Sequence, residues 1–190
     1  MTIYFTSDTH FDHKNIIQLE DRQFNNLEEM KKTMIANWNA VVKEEDTVYH
    51  LGDFVFGGYP KWVDLLPKLN GRKILIQGNH DSSNVVKRLV KEGYLQELHE
   101  VGMKMKVEGY NLWLSHYPME IGHRPLKYSL HGHIHSIPSN YLNQINVGVD
   151  SPLLRHKPFG QPISLGELVD ILNEQEPLVA SKFQAEKRKE

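Results

Sequence analysis

Asp8-Thr9-His10, Gly52-Asp53, Gly78-Asn79-His80-Asp81, Ser115-His116 and Gly132-His133-Ile134-His135 place carboxylate, amide and imidazole groups in five separate segments. Four of these segments follow strand-like runs: Ile3 to Ser7, Thr47 to Leu51, Lys73 to Ile76 and Leu112 to Ser115. In an open α/β sheet, ligands bind beyond the C-terminal ends of the strands, where the loops part into a crevice. Gly78 to Asp81 carries the most, because it sits between a buried apolar run and a helical stretch.

Taken together, Asp8, His10, Asp53, Asn79, His116, His133 and His135 offer only oxygen and imidazole nitrogen. Such donors suit Mn, Fe, Zn, Ni or Co rather than Ca or Cu(I). Seven candidate ligands exceed the three protein ligands of an open catalytic zinc. They fit two divalent cations sharing a carboxylate, a geometry that grips both oxygens of a phosphate. Beyond a strand end, residues i and i+2 point to one side, so Asp8 and His10, and likewise His133 and His135, are expected to pair. Gly52, Gly78 and Gly132 are expected to supply sharp turns. Each short motif alone is a common polar turn; their joint occurrence in this order makes the structural explanation improbable.

The elements that must position these groups follow from periodicity. Leu27, Met30, Met34, Trp38 and Val41 mark one face of a helix from Leu27 to Val42, with Asn26 as N-cap and Glu29 in capping-box position. Pro60 opens a short helix to Leu69. Another runs from Ser83 to Glu92, stopped by Gly93. Val101 to Glu108 and Tyr110 to Ser115 read as a hairpin, and Tyr128 to Leu130 and Gln144 to Val149 as further strands. Ser164 and Glu167 cap a last helix, Leu165 to Leu172. Strands alternating with helices and then mostly strands imply two packed sheets with helices outside. Residues 1–180 read as a single domain, and the charged tail 181–190 as frayed.

The composition bounds the rest. The chain has 190 residues, 39% hydrophobic and 24% charged, with a formal net charge of -2. That balance argues against a strongly basic nucleic-acid binder. No apolar run approaches a membrane span, and no signal peptide is expected. The absence of cysteine fits a cytoplasmic location. Histidine is enriched at 11, which suits metal or acid-base chemistry. His50, His99, His123, His131 and His156 read as structural.

The ordered blocks Asp8-x-His10, Gly52-Asp53, Gly78-Asn79-His80-Asp81, Ser115-His116 and Gly132-His133-x-His135 resemble the calcineurin-like metallophosphoesterase superfamily. The run from Thr6 to Phe11 and on to Ile17 resembles its small bacterial and phage subgroup. The resemblance implies an α/β fold, a four-layer αββα sandwich of two mixed sheets flanked by helices. It implies that Asp8, His10 and His135 hold one divalent cation, that Asn79, His116 and His133 hold the other, and that Asp53 bridges them, with manganese the expected metal. In-line attack of a metal-bridging hydroxide on a phosphodiester follows, with His80 protonating the leaving oxygen. A small nucleotide, cyclic or linear, is the expected substrate. A phosphomonoesterase, a nuclease or a non-catalytic scaffold on the same fold are the alternatives.

The chain departs from the superfamily after Gly52-Asp53. Phe56 and Gly57 replace an Asp that orients the catalytic histidine and an Arg that contacts phosphate. Asp81 is the candidate for the first task, and His13, Arg22 and Arg124 for the second. Without a fixed Arg, a diester monoanion is a better match than a monoester dianion. Phe54, Phe56 and Tyr59 are candidates for an apolar wall against a base.

Overall fold

In the computed structural model, which describes residues 1–188, β1 (Ile3–Thr6), β2 (Thr47–His50), β3 (Arg72–Ile76) and β4 (Glu97–His99) form parallel strands of one sheet. The antiparallel strand β9 (Ile163–Ser164) closes its edge beside β1. The second sheet contains β5 (Gly102–Val107), β6 (Tyr110–Ser115), β7 (Lys127–His131) and β8 (Gln144–Asn146) in sequence order. β5 and β6 are antiparallel; β6, β7 and β8 are parallel. Both sheets are therefore mixed, and the chain is α/β as expected.

Strand alternation assigns the two cores. On β1, Tyr4 faces the helices and Phe5 faces the second sheet; Leu75 and Ile76 divide the same way on β3. The helix-side core packs α2 (Leu27–Val41) through Met30, Met34 and Trp38, with α3 (Tyr59–Leu65) and α4 (Ser83–Lys91) beside it. Between the sheets, Phe5, Leu51 and Ile76 meet Leu112, Leu114, Leu130 and Ile145. Asn26 caps α2 by accepting from the Glu29 amide at 2.9 Å. The one-turn α1 (Ile16–Leu19), β4 and β9 have no periodic signature and were not expected.

The last helix, α5 (Leu165–Lys187), runs well past Leu172 and through Pro177. An interior proline loses one helical hydrogen bond and crowds the preceding turn. Tertiary contacts offset that cost: Val179 is buried, the Tyr110 hydroxyl donates to Asn173 at 2.8 Å, and the Tyr128 hydroxyl donates to Glu176 at 2.9 Å. His123 meets Glu186 at 2.8 Å and Arg124 lies over the Phe183 ring at 5.0 Å. The expected frayed tail is thus helical through Lys187, while residues 189–190 lie outside the described residues. No described helix is long and apolar enough to cross a membrane.

β1, β2 and β3 end at one edge of the first sheet, and β6 and β7 at the matching edge of the second. A parallel bridge, Ser7 to Gly148, joins the sheets there. The five polar segments therefore open into one crevice between the sheet ends.

Candidate metal centre

The side chains are aimed by backbone kinks rather than by strand alternation. Asp8 (φ 54°), His10 (φ 48°), Asp53 (φ 54°), His133 (φ 68°) and His135 (φ 47°) all lie in the left-handed region. Asp tolerates that region; histidine does so at a cost of about 1–3 kcal/mol per residue. The surrounding structure holds the kinks. The Asp8 amide donates to Gly52 O at 3.0 Å, His10 to Asp53 O at 3.0 Å, and Phe11 to Phe54 O at 2.9 Å. Ser7 and Thr9 hydroxyls donate to Leu51 O and Phe54 O, each at 2.9 Å.

The glycines act differently from expectation. Gly52 has φ 97°, but Gly78 and Gly132 do not adopt positive φ. They are needed for close approach. A Cβ on Gly132 would stand 2.0 Å from Ser7 Oγ and 2.2 Å from Asp8 Oδ2; one on Gly78 would stand 2.3 Å from Asp53 Oδ1. Gly132→Ala is expected to destabilise by about 1–3 kcal/mol through overpacking and to lower bound metal. Gly166→Ala, with nothing within 4 Å of the added Cβ, is the neutral control. Thermal denaturation with elemental analysis of both proteins checks this; equal melting and equal metal content would show that Gly132 has room to spare.

Among the described residues three groups of donors converge, one of them Glu20, His135 and Asp150. Asp8, His10 and His135 can each offer one atom so that these atoms lie within 4.8 Å of one another, and Asp8, Asp53 and His116 do the same. Asp53 Oδ2 stands between the halves, 3.5 Å from both His10 Nε2 and His116 Nε2. Asn79 Oδ1 lies 2.9 Å from His116 Nε2 and 3.0 Å from His133 Nδ1. His133 thus lies beside Asn79 and His116, and His135 beside Asp8 and His10. The His133 amide donates to both Asp8 carboxylate oxygens at 3.0 Å.

These donors fit divalent cations. His116 Nδ1 faces the carbonyl of Leu51 at 2.8 Å, so it carries the proton. In a neutral ring the Nε2 lone pair then confronts the oxygens of Asn79 and Asp53, a convergence of acceptors that a cation relieves. His10 Nε2 is buried without a hydrogen-bond partner. Burial and neighbouring positive groups push the His10 pKa down to about 3, leaving it neutral and able to ligate. Burial raises the Asp8 carboxyl to about 6. For His116, burial lowers the pKa, yet the Asp53 hydrogen bond and the Asp8 and Asp53 charges outweigh it and the net shift is upward. For Asp53, burial raises and His116 lowers, with the net shift downward.

The flanking residues divide into neighbours of the centre and supports beneath it. His80 is exposed, its ring 5.4 Å from that of His10. His13 lies at the same rim, its ring 5.2 Å from His10 and stacked at 4.1 Å on Phe56. Asp81 does not face the His80 ring. Its Oδ2 accepts from the Asp53 and Gly78 amides at 2.9 Å and its Oδ1 from Phe54 at 3.0 Å. It latches the Asp53 loop to the Gly78 loop. Burial drives its carboxyl up to about 6, against those three hydrogen bonds.

Neither arginine reaches the centre as a phosphate clamp. Arg22 is buried, with both ends of its fork on Asp150, Nε to Oδ1 at 2.9 Å and Nη2 to Oδ2 at 2.8 Å. It also donates to Thr9 O at 2.9 Å and Asp8 O at 2.8 Å. Arg124 donates to His123 O and covers Phe183 on α5, away from the strand ends. Of the proposed apolar wall, Phe54 is fully buried and stacked at 3.9 Å on His50, and Tyr59 turns to Arg88 and Glu92. Only Phe56 remains exposed there. Sequence reasoning missed Asp150, whose Oδ2 accepts from His135 Nδ1 at 2.9 Å. Its signal was an acidic residue closing the run Val147-Gly148-Val149 at a strand end, the pattern already read at Asp8 and Asp53.

Comparison with known proteins agrees with this geometry. A crystal structure of a protein of unknown function, AQ665 from Aquifex aeolicus, is similar with a TM-score of 0.69 and 31% identity, over 90% of this chain and 98% of that one. The Gene 66 protein of Mycobacterium phage L5 is 29% identical over 90% of this chain and 93% of its own length. The uncharacterized protein MJ1445 of Methanocaldococcus jannaschii is 47% identical over 48% of this chain, and the match spans 54% of that relative. The calcineurin-like phosphoesterase family profile matches residues 1–177. With the donor clusters and mixed sheets in place, the chain belongs to the calcineurin-like phosphoesterase family, whose members are metal-dependent hydrolases of phosphate esters.

Proposed function

We propose that this phosphoesterase acts on phosphodiesters, with a small nucleotide ester as substrate, at a pair of divalent cations. The observation that carries the diester reading is the engagement of Arg22 by Asp150 and of Arg124 by Phe183 of α5. Neither Arg22 nor Arg124 turns its fork to the crevice to neutralise a dianion, and a diester monoanion needs less positive charge.

Asp8, His10 and His135 are the proposed ligands of one cation, Asn79, His116 and His133 of the other, with Asp53 between. The oxygen and imidazole donors favour manganese, with Fe, Zn, Ni and Co as substitutes. Bound cations polarise the phosphoryl oxygens and make water a competent nucleophile near neutral pH. The protein's own part is to fix those ligands, through the Leu51 carbonyl on His116 and the Asp150 carboxylate on His135. His80, exposed beside His10, delivers a proton to the departing ester oxygen, and His13 forms the adjoining rim. A cytoplasmic location is part of this reading, supported by the cysteine-free composition.

Purified protein with added Mn²⁺ is expected to turn over bis-p-nitrophenyl phosphate faster than p-nitrophenyl phosphate. The reverse preference would replace the diester reading with a phosphomonoesterase, and no turnover of either with any divalent ion would favour the scaffold. His80→Ala is expected to lower kcat by about 10²–10⁴-fold with metal content unchanged. An unaltered kcat would remove His80 from the proton-transfer step.

A further inference from the structure

Two aromatic side chains stand open against the centre, on opposite sides of it. Phe56 is 42% exposed and Tyr117 53% exposed. The Phe56 ring lies flat on His13 and its centroid is 6.0 Å from that of His80. Tyr117 meets His133 edge to face at 4.5 Å and His116 at 5.2 Å. His10 and His116 flank Asp53 on its two sides. One aromatic therefore borders the His10 half and the other the His116 half.

The surfaces behind them differ. Beyond Tyr117 the wall continues as a groove of about 400 Å³ lined by Val101, Met103, Trp113 and Met119. The Lys104 ammonium lies 4.8 Å from the Trp113 ring centroid on that wall. Phe56 instead presents a platform beside His80, at the turn before α3. Open aromatic faces beside a polar centre are suited to stacking a planar ring.

We infer that both groups esterified to the phosphate carry planar rings. The leaving group stacks on Phe56 beside His80, and the retained group enters the groove between Tyr117 and Trp113. The inference rests on the diester reading and narrows it to linear diesters joining two nucleoside-like groups. A cyclic mononucleotide has a single planar base and reaches only one of the two surfaces. Hydrolysis consumes one water. Its oxygen adds to phosphorus, the P–O bond on the Phe56 side breaks, and the departing oxygen takes up a proton beside His80. The products are a nucleoside-like alcohol and a phosphomonoester held on the Tyr117 side.

The test compares wild type, Phe56→Leu, Tyr117→Leu and Tyr117→Phe, all loaded with Mn²⁺, on two diesters. Bis-p-nitrophenyl phosphate has a ring on each side, and methyl p-nitrophenyl phosphate only on the leaving side. On the diaryl ester, both leucine variants are expected to raise KM about 5- to 20-fold, the size of a lost stacking contact. Their kcat should stay within about twofold, the signature of lost uniform binding, with bound metal unchanged. On the methyl ester only Phe56→Leu should raise KM, and Tyr117→Phe should match wild type on both. Unchanged KM in both leucine variants on the diaryl ester overturns the inference. So does an equal effect of Tyr117→Leu on both esters, or wild-type preference for a cyclic mononucleotide over a linear dinucleotide. Wild-type protein that hydrolyses no diester overturns the diester reading along with it, whereas failure among the variants alone overturns only the stacking assignment.

Discussion

Asp53→Asn protein is expected to fold, to bind divalent metal weakly, and to lose about 10³-fold in kcat/KM on diesters, roughly 4 kcal/mol of transition-state stabilisation. Asp53 Oδ2 is the atom that stands equally close, at 3.5 Å, to His10 Nε2 and His116 Nε2. Its other oxygen accepts from the His80 amide at 2.9 Å. Asparagine keeps the shape and can keep the second contact, so the loop survives. It removes the buried negative charge that faces both His10 and His116. It also brings a neutral amide to a place surrounded by lone pairs. Because His116 is shifted upward by Asp53 and Asp8, the substitution should lower its proton affinity as well. Circular dichroism, metal titration by calorimetry and diester kinetics read the three expectations separately. A folded variant that retains two tightly held cations and nearly full kcat/KM would show that Asp53 does not join the two halves.

The parts of this site that were legible in the sequence share a physical cause. Asp8, Asp53, Asn79 and His116 each follow a run whose apolar alternation marks a strand, and strand ends must converge when the strands are parallel. What failed to show was anything set by contacts across the chain. Arg22 read as a phosphate contact, but its fork meets Asp150, 128 positions away. Asp81 read as a partner for His80, yet its oxygens are directed at backbone amides, which no side-chain pattern reveals. Gly78 and Gly132 read as turns because glycine usually marks them; the cause here is the missing Cβ beside Asp53, Ser7 and Asp8. α5 read as short because charges and Pro177 follow Leu172, while Val179, Asn173 and Glu176 find partners on the sheets. In each case the residue type was informative and the partner was not.

Arg22→Met is expected to have the largest effect on stability of any substitution near the centre, about 3–5 kcal/mol, or roughly 10 °C in Tm for a chain of this size. The Arg22 and Asp150 side chains are 0% and 4% exposed. Burial alone would push the Asp150 carboxyl up, but the His135 hydrogen bond and the Arg22 charge hold it below the usual carboxylate range. Removing the guanidinium leaves that carboxylate buried with a single partner and strips the carbonyls of Asp8 and Thr9 of their donors. Asp8 sits in a left-handed kink that those contacts help to hold. Metal affinity should fall about 10–100-fold as His135 and Asp8 lose their support. Arg22→Lys keeps the charge without the fork and should fall between. The decisive measurement is a double-mutant cycle. Arg22→Met with Asp150→Leu leaves no orphan charge, so it should be less destabilised than the sum of the single variants by at least about 1 kcal/mol. Strict additivity in urea unfolding would mean the two side chains act independently, and the support of His135 would then have to come from elsewhere.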